Sequence, residues 1–248
     1  MAAAIPDYSH APVPIRDDLK KTQAALLEYL AAPGSWFDSA ERLAMAAESR
    51  QAPHCSLCQE RKAALSPLAV HGEHDRARDL PDALVDVIHR VRTDPGRLSK
   101  AWFEGVKRQG LDDGPYVEAV GVVTLLAGID FFCLALGIPP HPLPRPRTGE
   151  PSGYRPEGLS DGGAWLPMLA PEDARGPEAD LYGSDPFVPN IARALSSVPG
   201  HVRALRELSN AHYLPFAGLT DPGARRNLDR LQIELVAARV SALNECFY

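Results

Sequence analysis

The residues best suited to chemistry are two cysteines separated by two residues, in the stretch Cys55-Ser56-Leu57-Cys58. A helical pattern begins within this pair, so the two thiols should lie about one turn apart, close enough to form a disulfide. The unpaired N–H groups at a helix start stabilise a thiolate, and Arg61 and Lys62 add positive charge one turn further on. His54 precedes the pair and is a candidate proton carrier. This arrangement is typical of thiol–disulfide redox chemistry.

Two other interpretations of the pair stay open. A zinc site would need two more ligands, and the nearby candidates are His71 and His74 in the stretch His-Gly-Glu-His. The two thiols could also be inert and buried. The redox interpretation requires no cofactor and no metal, and it is the one we favour. The remaining cysteines are Cys133, in an apolar stretch, and Cys246, near the end of the chain.

Composition restricts where such chemistry takes place. The 248 residues carry a net charge of −6 without a basic block, which argues against a nucleic-acid partner. The first residues lack a basic start and a long apolar core, so we expect no signal peptide and a cytoplasmic protein. The apolar stretch from Val117 to Ile138 contains Glu118 and Asp130, which predicts a buried core helix and no membrane partner. We expect these two carboxylates to form bonds between helices.

Helical periodicity dominates the chain and strand signals are few, which predicts an all-α fold. Pro139 to about Arg175 is rich in proline and glycine and predicts an extended linker laid over a neighbouring domain. Helical character returns at Pro189 and continues to Leu208, and a final helix carries several large apolar residues. His89 falls on a predicted amphipathic helix, where a core or surface role is favoured over a catalytic one. The other predicted helices are Arg16–Leu30, Ala40–Ser49, Gln59–Leu65, Asp82–Arg92 and Ser99–Gln109.

The run from Glu234 to Tyr248 resembles the signature of the alkylhydroperoxidase AhpD and carboxymuconolactone decarboxylase family. That signature is a Glu, a C-x-x-C that opens twelve residues later, and a His four residues after the pair. Here Glu234 and Cys246 match, and the stretch that starts at Phe187-Val-Pro-Asn-Ile resembles the usual lead-in. The stretch from Cys55 through the apolar helix resembles a whole family unit more loosely.

The resemblance implies two related repeats: 16–145 with the C-x-x-C, a linker at 146–184, and a second repeat at 185–248. Its implied fold is an AhpD-like helical bundle assembled into homo-oligomers. The second repeat stops one residue before its second cysteine is due, so we expect a shortened chain. One hypothesis for the stop is a UGA codon after Tyr248 that encodes selenocysteine in the natural protein.

By the same resemblance, Cys58 is the attacking thiol, Cys55 resolves it as a disulfide, and a Glu and a His relay protons. The relay positions hold Leu43 and Lys62 here, and the substitutes we name are Glu41 or Glu48 for the acid and His54 for the base. In the second repeat, Glu234 and Cys246 take the corresponding roles.

The implied activity is that of a peroxiredoxin-type oxidoreductase, a thiol-dependent peroxidase or thiol–disulfide oxidoreductase. Its substrate is a hydroperoxide and its electron donor is a dithiol reductant protein or a small thiol. A carboxymuconolactone decarboxylase-like lyase is an alternative, but decarboxylating members do not generally depend on a cysteine pair. A non-catalytic oligomeric protein is the third possibility, because the relay positions have changed.

Overall fold

In the computed structural model of the chain, the described residues are 6–183, 188–215, 218, 221–244 and 246; Phe187 and Tyr248 lie outside them. The chain is 55% helical, with nine α-helices and one small two-stranded sheet in the part that is described, so the predicted all-α class is confirmed. The helices are α1 Asp17–Leu30, α2 Ser39–Gln51, α3 Ser56–Ala63, α4 Asp82–Thr93, α5 Lys100–Arg108, α6 Asp113–Leu136, α7 Asn190–Arg193, α8 Pro199–His212 and α9 Arg230–Leu243.

The chain separates into two compact units, an N-terminal unit (Met1–Leu208) and a C-terminal unit (Ser209–Tyr248). The prediction that 16–145 and 185–248 are two related repeats concerns the similarity of two parts of the sequence. Contacts within the chain do not test such a similarity, so the repeats stay a prediction.

The core of the N-terminal unit is formed mainly by α2, α4 and α6, which pack against one another. Helix α2 begins at a capping box, in which the Asp38 side chain accepts from the Glu41 N–H and the Glu41 side chain accepts from the Asp38 N–H. Helix α6 ends at Gly137, whose φ of 69° is left-handed and suits glycine. These residues fix where α2 begins and where α6 ends. The largest fully buried side chains of α4 and α6 are Leu84, Ile88, Leu125, Leu126 and Ile129.

Helix α6 is the one described helix that is long and apolar enough to cross a membrane, judged by length and composition. Half of its most apolar window is buried inside the protein. Glu118 is fully buried and lies 3.4 Å from Arg42 of α2, while Asp130 binds Arg50 of α2 at 2.7 Å. Both carboxylates therefore join α6 to α2. The predicted inter-helix bonds are confirmed, and the helix has the contacts of a core element.

The predicted linker is extended and lies along the loop between α1 and α2. The Arg147 N–H donates to the carbonyl of Ala31 at 3.0 Å, and the Gly153 N–H donates to the carbonyl of Ser35 at 2.7 Å. Further on, two short strands, β1 Leu159–Ser160 and β2 Met168–Leu169, pair antiparallel.

The helix predicted from Pro189 to Leu208 is interrupted between α7 and α8. Pro199 explains the break, since a proline lacks an N–H and disfavours helical geometry in the residue before it. The Ser196 hydroxyl in this break accepts a hydrogen bond from the Leu169 N–H at 2.8 Å, which joins the break to β2.

The C-terminal unit contains α9, which begins at a capping box formed by Asp229 and Gln232. Glu234 accepts a hydrogen bond from the Tyr213 hydroxyl and pairs with Arg230 at 2.8 Å. The large apolar side chains of this helix are exposed: Leu231, Leu235, Val236, Val240 and Leu243.

Candidate functional site

The two cysteines of the C-x-x-C lie together at the start of α3. A 3₁₀ turn, Ala52–His54, follows α2 and delivers Cys55 as the residue that caps α3, with Cys58 in the first helical turn. Cys55 has no exposed surface and Cys58 is 3% exposed. The two residues are 3.7 Å apart, and neither forms a disulfide. The predicted proximity of the two thiols is confirmed.

Two histidines from different parts of the chain complete the site. His74 comes from the segment that connects α3 to α4, and its Nδ1 lies 3.5 Å from Cys55 Sγ and 3.6 Å from Cys58 Sγ. His89 comes from α4, and its Nδ1 lies 3.2 Å from Cys58 Sγ. One nitrogen or sulfur atom of each residue lies within 4.8 Å of all the others. We call these four residues, Cys55, Cys58, His74 and His89, the Cys–His cluster.

A carboxylate holds the far side of His89. His89 Nε2 lies 2.8 Å from Glu48 Oε1, and both side chains are fully buried. The other oxygen of Glu48 accepts from the backbone N–H groups of Ala77 and Arg78 at 2.9 and 2.8 Å. In the tautomer in which His89 Nε2 donates to Glu48 Oε1, the lone pair of Nδ1 points at Cys58.

A second carboxylate holds His74 in the same way. His74 Nε2 lies 3.0 Å from Asp86 Oδ1, which also accepts from Arg61 at 2.9 Å, and Trp102 Nε1 donates to Asp86 Oδ2 at 2.6 Å. Burial opposes the ionisation of Asp86, but the hydrogen bonds from His74 and Trp102 and the charge of Arg61 hold its pKa below the usual range. Asp86 is therefore an anion that fixes the ring of His74.

Burial sets the resting charges of the thiol and the imidazole beside it. It raises the pKa of Cys58 to about 12, and the neighbouring Cys55 adds to the rise. Burial also lowers the pKa of His89, although the hydrogen bond to Glu48 opposes this. Cys58 and His89 are consequently both neutral at pH 7, and a thiolate forms there only when a nearby group receives the proton or a cation offsets the charge.

The structure brings some of the residues named from sequence into the site and places others elsewhere. Cys55 and Cys58 are in it, and Glu48 is the one of the two candidate acids that reaches it. Glu41 instead completes the capping box of α2, in which its side chain accepts from the Asp38 N–H. His54 is exposed and is not one of the four clustered residues, and Lys62 is exposed as well.

Glu234 and Cys246 belong to the C-terminal unit, whereas every member of the Cys–His cluster belongs to the N-terminal unit. Glu234 is engaged by Tyr213 and Arg230, and Cys246 is exposed. Their assignment as catalytic residues of a second repeat is not tested by these contacts and stays a prediction.

His89 is the functional residue that the sequence interpretation missed. It lies on the fully buried face of α4 with Val85 and Ile88, where a histidine has to find a hydrogen-bonding partner. That position was the available signal, but its partners are distant in sequence: Cys58 is 31 residues away and Glu48 is 41. His74 was named from sequence, as a possible zinc ligand.

Comparisons with known proteins add no further assignment: no protein-family model, no curated protein and no solved structure matches the chain. The Cys–His cluster and its two carboxylates are therefore the observations from which a function has to be inferred.

Proposed function

We propose that Cys55 and Cys58 form a redox-active dithiol that reduces a hydroperoxide and is returned to the reduced state by a thiol donor. The observation that carries this proposal is the line of three residues Cys58, His89 and Glu48, with distances of 3.2 Å and 2.8 Å between successive partners. A nucleophile, a base within hydrogen-bonding reach and an acid that orients the base are the parts of an activated thiol site.

In the proposed reaction, His89 Nδ1 takes the proton of Cys58, and the Glu48 carboxylate stabilises the imidazolium that results. The thiolate attacks one peroxide oxygen: an S–O bond forms, the O–O bond breaks, and the alcohol leaves with the proton from His89. Cys58 is then a sulfenic acid. This step oxidises the sulfur by two electrons and reduces the peroxide by two.

Cys55 resolves the sulfenic acid. Its thiol, whose proton His74 is placed to accept, attacks the sulfur of Cys58, a disulfide forms and water leaves. The two cysteines are 3.7 Å apart, so they approach by less than about 2 Å to reach a disulfide bond length of about 2.05 Å. Two thiol equivalents from a dithiol protein or a small thiol then reduce the disulfide.

The sequence resemblance to the AhpD family supports this assignment. In this proposal Glu48 and His89 perform the relay that family members assign to a Glu and a His at other positions, where Leu43 and Lys62 stand here. The proposal includes a homo-oligomeric, cytoplasmic protein that acts on a hydroperoxide. Because both thiols are almost fully buried, it favours small hydroperoxides as substrates.

The raised pKa of Cys58 favours a second candidate, a non-catalytic protein whose thiols are inert. A buried thiol that keeps its proton reacts slowly unless the neighbouring base accepts that proton during the reaction. The two candidates differ in whether His89 acts on Cys58 or only packs against it.

Peroxide consumption in the presence of a dithiol reductant separates them. We expect turnover in the reduced wild-type protein and its loss in Cys58→Ser. Cys133→Ser is the matched control, because Cys133 is also a buried thiol but is not part of the Cys–His cluster. Equal turnover in wild type and Cys58→Ser would remove the peroxidase proposal, and absence of turnover in all three proteins would favour the inert candidate.

A further inference from the structure

The Cys–His cluster has the donor atoms of a metal site. Two cysteine sulfurs and two imidazole nitrogens are soft and borderline ligands, the set that zinc prefers over the oxygen ligands of calcium and magnesium. In the described part of the chain, these four residues are the group of this kind whose donor atoms lie within 4.8 Å of one another.

Four of the six separations within the cluster lie within about 0.4 Å of those in a tetrahedral zinc site, and the other two are below 4.8 Å. With Zn–S bonds of about 2.3 Å and Zn–N bonds of about 2.05 Å, a regular tetrahedron separates two sulfurs by about 3.8 Å and a sulfur from a nitrogen by about 3.6 Å. The two cysteines are 3.7 Å apart, and the sulfur–nitrogen distances are 3.5, 3.6 and 3.2 Å.

The surroundings of the histidines match those of metal ligands. Each ring turns Nδ1 towards the sulfurs and places its Nε2 within hydrogen-bonding distance of a carboxylate, Glu48 for His89 and Asp86 for His74. Carboxylate partners of this kind fix the ring orientation of a metal-bound histidine and make it a stronger ligand. In addition, the Asp75 N–H donates to Cys55 Sγ at 3.3 Å, which stabilises negative charge on that sulfur.

We propose that the Cys–His cluster binds one Zn²⁺ ion in a tetrahedral site, with Cys55 Sγ, Cys58 Sγ, His74 Nδ1 and His89 Nδ1 as its four ligands. Two thiolates neutralise the charge of the ion, so the buried site carries no net charge at the metal. Four protein ligands leave no position for water or substrate, which is the arrangement of a structural rather than a hydrolytic zinc site.

The zinc proposal does not depend on the proposed peroxidase activity, although both use the sulfur atoms of Cys55 and Cys58. Zinc bound by two thiolates, one hydroperoxide and two protons would give the disulfide, an alcohol, water and a released Zn²⁺ ion. Oxidation of the dithiol would thus release the ion.

Metal titration of the full-length protein tests the site. The reduced protein, stripped with a chelator and kept free of oxygen, is titrated with Co²⁺ and then with Zn²⁺. We expect one Co²⁺ per chain, with the intense visible absorption of tetrahedral cobalt and a thiolate-to-cobalt charge-transfer band. Zinc should then displace cobalt with a dissociation constant below about 1 μM.

Two histidines on one segment provide a matched pair of variants. His74→Ala should weaken binding at least about 10-fold and change the cobalt spectrum, since it removes a ligand. His71→Ala should bind as wild type does, because His71 is exposed and is not in the cluster. If His74→Ala does not fold, Asp86→Asn keeps all four ligands and should weaken binding by about 10- to 100-fold.

Octahedral cobalt spectra, binding without saturation at one ion per chain, or equal affinity in His71→Ala and His74→Ala would overturn the site. Peroxide turnover of the metal-free reduced protein is measured separately. Turnover without metal binding removes the zinc site alone, and metal binding without turnover removes the peroxidase proposal alone.

Discussion

Replacing Glu48 by Gln is the sharpest test of whether Glu48 and His89 act on Cys58, as the proposed function requires. One oxygen of Glu48 faces the protonated Nε2 of His89, and the other accepts two backbone N–H groups. Gln has the same shape, but its amide NH₂ must replace one of these oxygens. A donor then faces a donor in a fully buried position, whichever way the amide turns.

Two magnitudes follow from this geometry. An unsatisfied buried group costs about 1–3 kcal/mol of unfolding free energy, which lowers the melting temperature by about 2–12 °C in a chain of this size. The loss of the charge that stabilises protonated His89 costs about 1.5–3 kcal/mol in the step that forms the thiolate, which slows that step about 10- to 150-fold.

The rate of Cys58 alkylation by iodoacetamide at pH 7 measures the second effect directly, in a background in which Cys55, Cys133 and Cys246 are replaced by Ser so that Cys58 is the one remaining thiol. The reaction is followed at a temperature where both variants are folded, by circular dichroism. Glu41→Gln is the control, because Glu41 caps the same helix but is exposed and has no contact with His89. An alkylation rate in Glu48→Gln within about twofold of the rate with Glu48 present would show that Glu48 only packs against His89.

Three further predictions concern the stability of the N-terminal unit. Burial lowers the pKa of His201 to about 3 from an ordinary value of about 6.5. The unfolded chain therefore takes up the proton first, and the free energy of unfolding falls as the pH drops from about 6.5 towards 3. His201→Gln should remove up to about 1.4 kcal/mol per pH unit of that dependence, measured by urea titrations at several pH values. Gly121→Ala should lower the free energy of unfolding by about 1–3 kcal/mol in thermal unfolding, because its Cβ would lie 2.3 Å from the His201 ring. Gly96→Ala is the control and should not lower it, because a Cβ at that position has nothing within 4 Å. Arg42→Met removes the buried ion-pair partner of Glu118 and should lower the free energy of unfolding by about 3–5 kcal/mol in urea denaturation. Arg16→Met breaks an exposed pair and should change that free energy by less than about 1 kcal/mol. Equal losses in the two variants would contradict the importance of burial.

The fold could be predicted from sequence where local patterns decide it. Apolar periodicity and helix-ending residues gave α1 to α6 to within a few residues, and the two carboxylates in α6 correctly indicated a core helix with partners. The break before Pro199 was missed because the apolar pattern continues through it, while the proline and the Ser196 contact with β2 decide the backbone.

The site was predictable only in its local part. Cys55 and Cys58 are separated by only two residues in sequence, and the closeness of their thiols follows from one turn of helix. His89 and Glu48 meet because α2 and α4 pack face to face, and that depends on the whole core. The spacing implied by the sequence resemblance leads to Leu43 and Lys62, whereas Glu48 and His89 lie beside the thiols: a residue contributed by another helix need not keep a fixed spacing from them.

The Cys–His cluster and both its carboxylates fall between Glu48 and His89, on α2, α3, α4 and the segment between them. Glu48 and His89 are 41 residues apart in sequence, and the chain between them is the longest loop that must close to form the site. Closing it costs little more entropy than closing a short loop. Helix α6, the centre of the core, is synthesised later. During translation the residues of the site therefore leave the ribosome before α6, which packs against α2 and α4. All the side chains that the site needs are thus present on the nascent chain before the centre of the core has been synthesised.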